Sequence, residues 1–161
     1  MLSIQLANPQ DASRLAEVQK RTFDHDAQQY QNKLEDGPPG YGSSSWQSEM
    51  MMSGQYYKLL ENDVIIGGMI LFPSENKEEC HLGRIYIDPN YQNRGYGQEA
   101  FLFLFSTFSS AQKWTLDTPS WAVRNHHFYK KQGFVQIAEV HDAQSGEALI
   151  QYERITEEAR P

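Results

Sequence analysis

The sequence predicts an α/β fold, a mixed and mostly antiparallel sheet of six to seven strands flanked by about four helices. Two observations predict it. Short runs of β-branched and aromatic residues at period two are interrupted by longer runs of helix formers. These runs also follow one another as strand, helix, helix, three strands, helix, strand, helix and two strands, an order that gives a sheet of mixed direction. A length of 161 residues suits one hydrophobic core, so a single domain over residues 1–161 is expected.

Ser3-Ile4-Gln5-Leu6 alternates as a first strand, and Asn8-Pro9-Gln10-Asp11 caps a helix that runs through about Gln28, with Leu15, Val18 and Phe23 near one face. From Gln31 to Ser45 the chain carries Gly37-Pro38-Pro39-Gly40 and three serines without an apolar period, which reads as a loop. Trp46 through Met52 forms a short second helix. Tyr56–Leu60 and Val64–Phe72 are strands joined at Asn62-Asp63, a hairpin signal, and after a turn at Glu75–Glu78 the run Cys80–Ile87 is the fourth strand, ended by Asp88-Pro89. Gln98 to Ser109, rich in Phe and Leu, is a helix buried against the sheet, its aromatic stripe better read as core than as a ligand box. Lys113–Asp117, Ala122–Gln132, Gly133–Val140 and Gly146–Ile155 complete the pattern as strand, helix, strand and strand.

Composition narrows the class. No run approaches 18 consecutive apolar residues and the first residues lack a charged stretch followed by a hydrophobic one, so neither a membrane span nor a secretory signal is expected, and the cytoplasm is the expected compartment. The single cysteine, Cys80, reads as an inert strand-edge thiol. A formal charge of −7 argues against non-specific nucleic-acid binding and mildly favours a cationic substrate. Exposed last strands can pair between subunits, which leaves a homodimer open.

Within the segment from Asp88 to Phe101, Gln92-Asn93-Arg94-Gly95-Tyr96-Gly97 places two glycines between a strand and a helix. Glycine admits backbone dihedrals closed to other residues and lets a ligand oxygen approach the main chain, while the first helical turn offers N–H groups without intrahelical partners. An anion, and a diphosphate best of all, suits such a junction. A plain turn needing a positive φ is the competing reading. Neither Gly-x-x-x-x-Gly-Lys-Ser/Thr nor Gly-x-Gly-x-x-Gly in the first βα turn is present. The segment resembles the Gln/Arg-x-x-Gly-x-Gly/Ala pyrophosphate loop of the GNAT superfamily of acetyl-CoA-dependent N-acetyltransferases. The strand Leu82–Pro89 before it and Phe128-Tyr129-Lys130-Lys131-Gln132-Gly133-Phe134 after it match that family's pattern in the same order.

The resemblance implies the GNAT fold, with the fourth and fifth strands splayed apart, and acetyl-CoA as cosubstrate. It implies that Gln92, Asn93, Arg94, Gly95, Tyr96 and Gly97 hold the pyrophosphate and that the backbone at Ile85 and Ile87 meets the pantetheine arm. The family often has Asn seven residues before its general-acid tyrosine. Here that position is Ala122, and Asn125, one turn later, stands in for it as a cofactor contact. The stretch between the first two helices varies with the acceptor in the family, so residues 31–45 are where selectivity is expected, a solvated connector being the alternative.

Chemistry then limits the side chains needed. Neutralising an ammonium of pKa near 10.4 costs about 4–5 kcal/mol at pH 7, and protonating a departing thiolate is worth roughly 2 kcal/mol. Tyr129, four residues before Gly133, occupies the family's general-acid position, the competing reading being a core tyrosine whose hydroxyl reaches solvent. His81 lies fourteen residues before Gly95, where histone-type members carry a catalytic glutamate, and shares side-chain parity with Ile85 and Ile87. Its ordinary pKa of about 6.5 suits a base, though a lone histidine at a strand start is commonly a solvated edge residue. Asp117, Glu49 and a water relay are alternatives. No metal site is expected from His126 and His127, which lack ligand spacing, and direct transfer gives Cys80 no role as nucleophile. The implied function is transfer of acetyl to a primary amine of a small molecule or peptide in a ternary complex. A non-catalytic acyl-CoA-binding sensor or partner module is the alternative, and an unrelated phosphate-binding α/β protein a second one.

Overall fold

The computed structural model describes residues 1–143 and 145–156. In chain order the elements are β1 (Leu2–Leu6), α1 (Ala12–Tyr30), α2 (Ser44–Ser53), β2 (Gln55–Glu61), β3 (Val64–Pro73), β4 (Glu79–Ile87), α3 (Tyr96–Thr107), β5 (Lys113–Pro119), α4 (Val123–Lys131), β6 (Val135–His141) and β7 (Ala148–Ile155). Hydrogen bonding orders the strands β1-β2-β3-β4-β5-β7-β6, a seven-stranded mixed sheet. By contact the chain gathers into two units, one of Met1–Phe72 with Arg84–Ala100, the other of Pro73–Gly83 with the chain from Phe101 on.

In the first unit β1 runs antiparallel to β2, from Leu2 opposite Glu61 to Leu6 opposite Tyr57, and β2 antiparallel to β3 with a bulge between Leu59 and Leu60. The β2–β3 hairpin closes as the sequence predicts: Asn62 and Asp63 take φ of 51° and 65°, the left-handed pair that a two-residue turn matching strand twist requires. Ahead of α1, Asn8 and Asp11 form a reciprocal capping box. The core centres on Leu15, Val18, Tyr56, Ile70 and Tyr86, with Phe23, Trp46, Met50 and Phe72 packed on it. Helix α2 begins at Ser44, two residues ahead of the expected start, because the Ser43 hydroxyl caps it by accepting from the Trp46 N–H.

The second unit pairs β5 antiparallel to β7 over seven residues, Lys113–Pro119 against Ile155–Leu149, and β6 antiparallel to β7. The last strand is therefore interior, and of the two last strands it is β6 that stands at the edge of the sheet. Strands β4 and β5 pair in parallel only across Glu79–His81 and Lys113–Thr115, although β4 continues to Ile87 and β5 to Pro119. So short a ladder is what a splayed pair requires. The aromatic stripe of α3 is core, as predicted: Phe101 lies 5.8 Å from Phe134 and Phe105 lies 5.3 Å from Trp114 between ring centroids.

Gly67 of β3 makes the close approach on which the first unit's sheet depends. A Cβ there would sit 2.2 Å from the Tyr86 carbonyl oxygen, a backbone atom that cannot step aside. Gly67→Ala is expected to lower unfolding stability by about 1–3 kcal/mol, read as a reduced urea midpoint at unchanged slope; an unchanged midpoint would show that the strands separate freely at that point.

Candidate active site

The strand-to-helix junction is built from Asp88 outward. Its N–H donates to the Ile66 carbonyl at 2.7 Å, its buried carboxylate accepts from the Asn90 N–H at 2.9 Å, and Arg21 pairs with the other oxygen. After the short turn at 89–91, the Gln92 amide donates to the Ile87 carbonyl at 2.8 Å and ties the loop to the strand end. Asn93 then takes φ 65° and Gly95 φ 81°. A Cβ on Gly95 would meet no protein atom within 4 Å, so the space over the loop is open. Helix α3 starts at Tyr96, two residues earlier than predicted, which puts Gly97 in its first turn. The Glu99 N–H finds the Gly95 carbonyl at 3.1 Å, while donors ahead of it in the turn have no intrahelical acceptor. Left-handed residues just ahead of a helix start, as Asn93 and Gly95 are here, are the backbone type from which anion-binding concavities are built.

The charges around this loop are balanced. Arg94 approaches Glu61 at 3.4 Å and the Asn90 carbonyl at 3.4 Å, over the Tyr91 ring, and the Tyr96 hydroxyl donates to the same Glu61 carboxylate. That hydrogen bond, followed by loss of hydration, pushes the Tyr96 phenol up. Arg94 is half exposed, so the pair contributes at most about 1 kcal/mol and can be exchanged for another anion.

The remaining predicted residues fall in both units. Ile85 and Ile87 are half-buried on β4 in the first unit, at the parity opposite buried Tyr86, and belong with the loop. In the second unit His81 Nδ1 lies 2.8 Å from Thr115 Oγ1, so one ring nitrogen is engaged by its cross-strand neighbour. The Asn125 amide donates to Thr118 Oγ1 at 3.3 Å. Tyr129 is buried, its ring 6.1 Å from Phe101, 6.2 Å from Phe134 and 6.3 Å from Tyr152. His126 braces the start of α4 through Tyr152 and the Pro119 carbonyl. Asp117 and Glu49 are exposed.

The sequence reading passed over Arg84. Its guanidinium donates to Gln19 Oε1 at 2.8 Å and to the Pro39 carbonyl at 3.2 Å, and lies 4.2 Å from the centroid of the Trp46 ring. Gln19, Gln47, Tyr56 and Tyr86 extend the network, with the two phenols 2.6 Å apart. Burial pushes Arg84 down to about 10, Tyr56 up to about 12 and Tyr86 up. The detectable signal is parity: Arg84 stands between Leu82 and Tyr86 at the buried positions of its strand. The segment 31–43 is tied down over this network. The Asp24 carboxylate accepts from the Asp36 N–H at 3.1 Å, the Tyr41 hydroxyl at 2.7 Å and Lys20 at 2.8 Å, and the Gln47 amide donates to the Gly40 carbonyl at 3.1 Å.

A family model described as acetyltransferase (GNAT) family matches residues 16–134. Among curated proteins no sequence match was found. Of the solved structures, the ribosomal-protein-S18-alanine N-acetyltransferase from Escherichia coli is similar at TM-score 0.77 and 15% identity, covering 99% of this chain and 97% of that one. The PaiA N-acetyltransferase from Thermoplasma acidophilum, in complex with coenzyme A, gives TM-score 0.75 and 16% identity over 96% of this chain and 99% of that one. An acetyltransferase from Thermus thermophilus gives TM-score 0.72 and 18% identity over 96% of this chain and 97% of that one. At these identities the likeness is one of fold.

Two substitutions test the loop. Gly95→Val is expected to cost roughly 1–2 kcal/mol of stability from its φ and to weaken coenzyme A binding about tenfold or more in a calorimetric titration, through lost backbone donors; unchanged affinity would remove the loop from the binding site. Glu61→Gln releases Arg94 and is expected to tighten coenzyme A roughly two- to fivefold at low salt, whereas weaker binding would make Glu61 a support of the loop rather than a competitor.

Proposed function

Because the chain belongs to the GNAT family of acetyltransferases, we propose that it transfers an acetyl group from acetyl-CoA to a primary amine of a small molecule or peptide, as one cytoplasmic domain spanning residues 1–161. The observation that carries this reading is the loop at 92–97. Two left-handed residues, open space over Gly95 and the free first turn of α3 suit a diphosphate. When bound, acetyl-CoA supplies the activated acetyl group. In this reading Gln92 braces the loop, the backbone from Asn93 to Gly97 binds phosphate oxygens, and Arg94 leaves Glu61 for the added charge. The backbone of Ile85 and Ile87 receives the amide groups of the pantetheine arm, and Asn125 is a further contact to the cofactor.

The proton balance of direct transfer in a ternary complex assigns the remaining roles. The ammonium must lose a proton before its nitrogen bonds the acetyl carbon, and His81, through the ring nitrogen not facing Thr115, or a water takes it. As the carbon–sulfur bond breaks, the electron pair stays on sulfur and the Tyr129 hydroxyl gives it a proton, which the phenol regains from solvent. No covalent acyl-protein is needed, which leaves buried Cys80 outside the chemistry.

A second reading draws on the aromatic packing around Tyr129, which suits a core residue as well as an acid. On that reading the chain is a non-catalytic acyl-CoA-binding module. The separating experiment is thiol release from acetyl-CoA across amines, polyamines, aminoglycosides, amino acids and peptides, beside a coenzyme A titration. Tyr129→Phe is expected to lower kcat roughly 30-fold or more, the equivalent of about 2 kcal/mol, with coenzyme A affinity unchanged. Tight binding without turnover on any amine would favour the module, and absence of binding would remove both readings.

A further inference from the structure

The cations of the first unit are paired with carboxylates, with one exception among its described side chains. Arg14 pairs with Glu17, Lys20 with Asp24, Arg21 with Asp88, Lys33 with Asp36, Lys58 with Asp11 and Arg94 with Glu61. Arg84 has no carboxylate partner among the described residues. It is also no loose surface arginine: it is half-buried, and its acceptors are a neutral amide oxygen and a backbone carbonyl. A guanidinium has five N–H donors in a rigid fork, and these two bonds leave three of them unused. The ring of Trp46 at 4.2 Å and that of Phe23 at 6.0 Å hold the guanidinium, which fixes the direction in which the fork faces. A cation desolvated without a counter-charge is costly, and its lowered pKa has the same cause. A guanidinium fork held in this way matches a planar, bidentate anion in geometry.

The neighbours of Arg84 indicate which molecule would carry that anion. Arg84 directly precedes Ile85 and stands three residues before Ile87, roughly 10 Å along the strand from its end at a rise of about 3.3 Å per residue. That strand leads into the loop at 92–97, in the same unit. The segment 31–43 reaches Arg84 through the Pro39 carbonyl and is itself held by Asp24 and Gln47. An anion at Arg84 would therefore lie on the α1–α2 face of β4, opposite the side chains of Ile85 and Ile87, on a strand whose backbone is assigned above to acetyl-CoA and next to the Pro39 carbonyl of the tethered segment.

We propose that Arg84 is a carboxylate-binding residue for the acceptor, so that the amine acetylated by this protein carries a carboxylate, as an amino acid or an acidic peptide does. The inference rests on the transferase reading above and adds a substrate class to it. Trp46 and Gln19 position the guanidinium, and two of its three remaining N–H groups take the two carboxylate oxygens. The net charge of −7 opposes anions at long range; a zwitterionic amino acid presents no net charge to that field, whereas an acidic peptide is held against it by the local contacts alone.

Two readouts test this independently of each other. In the first, the side-chain Nε–Hε resonance of Arg84, assigned by its loss in Arg84→Lys, is followed while the common amino acids and short Glu- or Asp-containing peptides are added, each beside its carboxamide, with inorganic phosphate as a control. The expected result is a shift with carboxylates and none with carboxamides; no shift with any carboxylate, or a shift with phosphate alone, overturns the proposal. In the second, acetyl transfer to the same pairs is measured. Carboxylate acceptors are expected to exceed their carboxamides roughly 100-fold in kcat/KM. Arg84→Gln is expected to erase that preference through a KM raised roughly 10- to 100-fold with kcat within a few-fold, and Arg84→Lys to restore part of it, at unchanged coenzyme A affinity. Equal turnover of the carboxamides, or a preference that survives Arg84→Gln, overturns the carboxylate site while leaving the transferase standing. A carboxylate-dependent shift without turnover of any amine keeps the site and removes the transferase. Free amino acids and peptides are separated by which arm gives the lower KM, and thermal melting of both variants verifies that they fold.

Discussion

The end of β4 has to change from a strand that spends its backbone groups on neighbours into a turn that leads to the start of α3, and buried Asp88 makes that change possible. Its N–H gives the strand its last tie, to Ile66, while its carboxylate closes the next turn on Asn90 and holds Arg21 of α1. A buried carboxylate is stable only with such partners. Gln92 then repeats the device with its side chain, on the Ile87 carbonyl. With both ends fixed, the left-handed residues Asn93 and Gly95 can be held without sheet or helix around them, and α3 can start where its first-turn donors are free.

Most of the fold was legible because it rests on local pattern. The Asn62-Asp63 turn, the alternating strands and the aromatic stripe of α3 each have a chemical reason that extends over a few residues, and each lies where the pattern puts it. The turn at 92–97 was legible for the same reason: glycine at a strand-to-helix junction is a local signal, and Gly95 takes the positive φ it announces. The position of β7 between β5 and β6 was not, since alternation shows that a strand has two faces but says nothing about which edges it joins. Arg84 was hidden by a related limit. Its importance lies in what it lacks, a carboxylate, and that can be judged only once every other charge in the unit has been paired in space. The tethering of residues 31–43 was equally out of reach, because Asp24 meets Asp36 and Tyr41 across 12 and 17 residues with no periodicity to announce it.

The candidate site thus combines two kinds of recognition. In the proposed reading the backbone at 92–97 binds the phosphates, so specificity there would depend on dihedral angles more than on side chains, with Arg94 and Glu61 adjusting strength. Around Arg84 the reverse holds: a single side chain, gripped by Trp46 and Gln19, presents a fixed fork. The buried phenols of Tyr56 and Tyr86, both pushed toward the neutral form by burial, do not supply the missing negative charge.

The threading of β7 between β5 and β6 bears on how the second unit comes into being. As the chain emerges, β5 and β6 are made before the strand that must separate them, so β5 waits with one edge unsatisfied until residues near 150 appear. Pairing β5 with β6 prematurely would shut out β7 and leave Ile150 and Tyr152, both buried in the finished sheet, without a place to pack. Correct assembly therefore depends on the edge of β6 remaining a poor partner in the interval. What the strand has to disfavour that early pairing are the polar side chains Gln136, Glu139 and His141, set among the exposed apolar Val135, Ile137 and Val140.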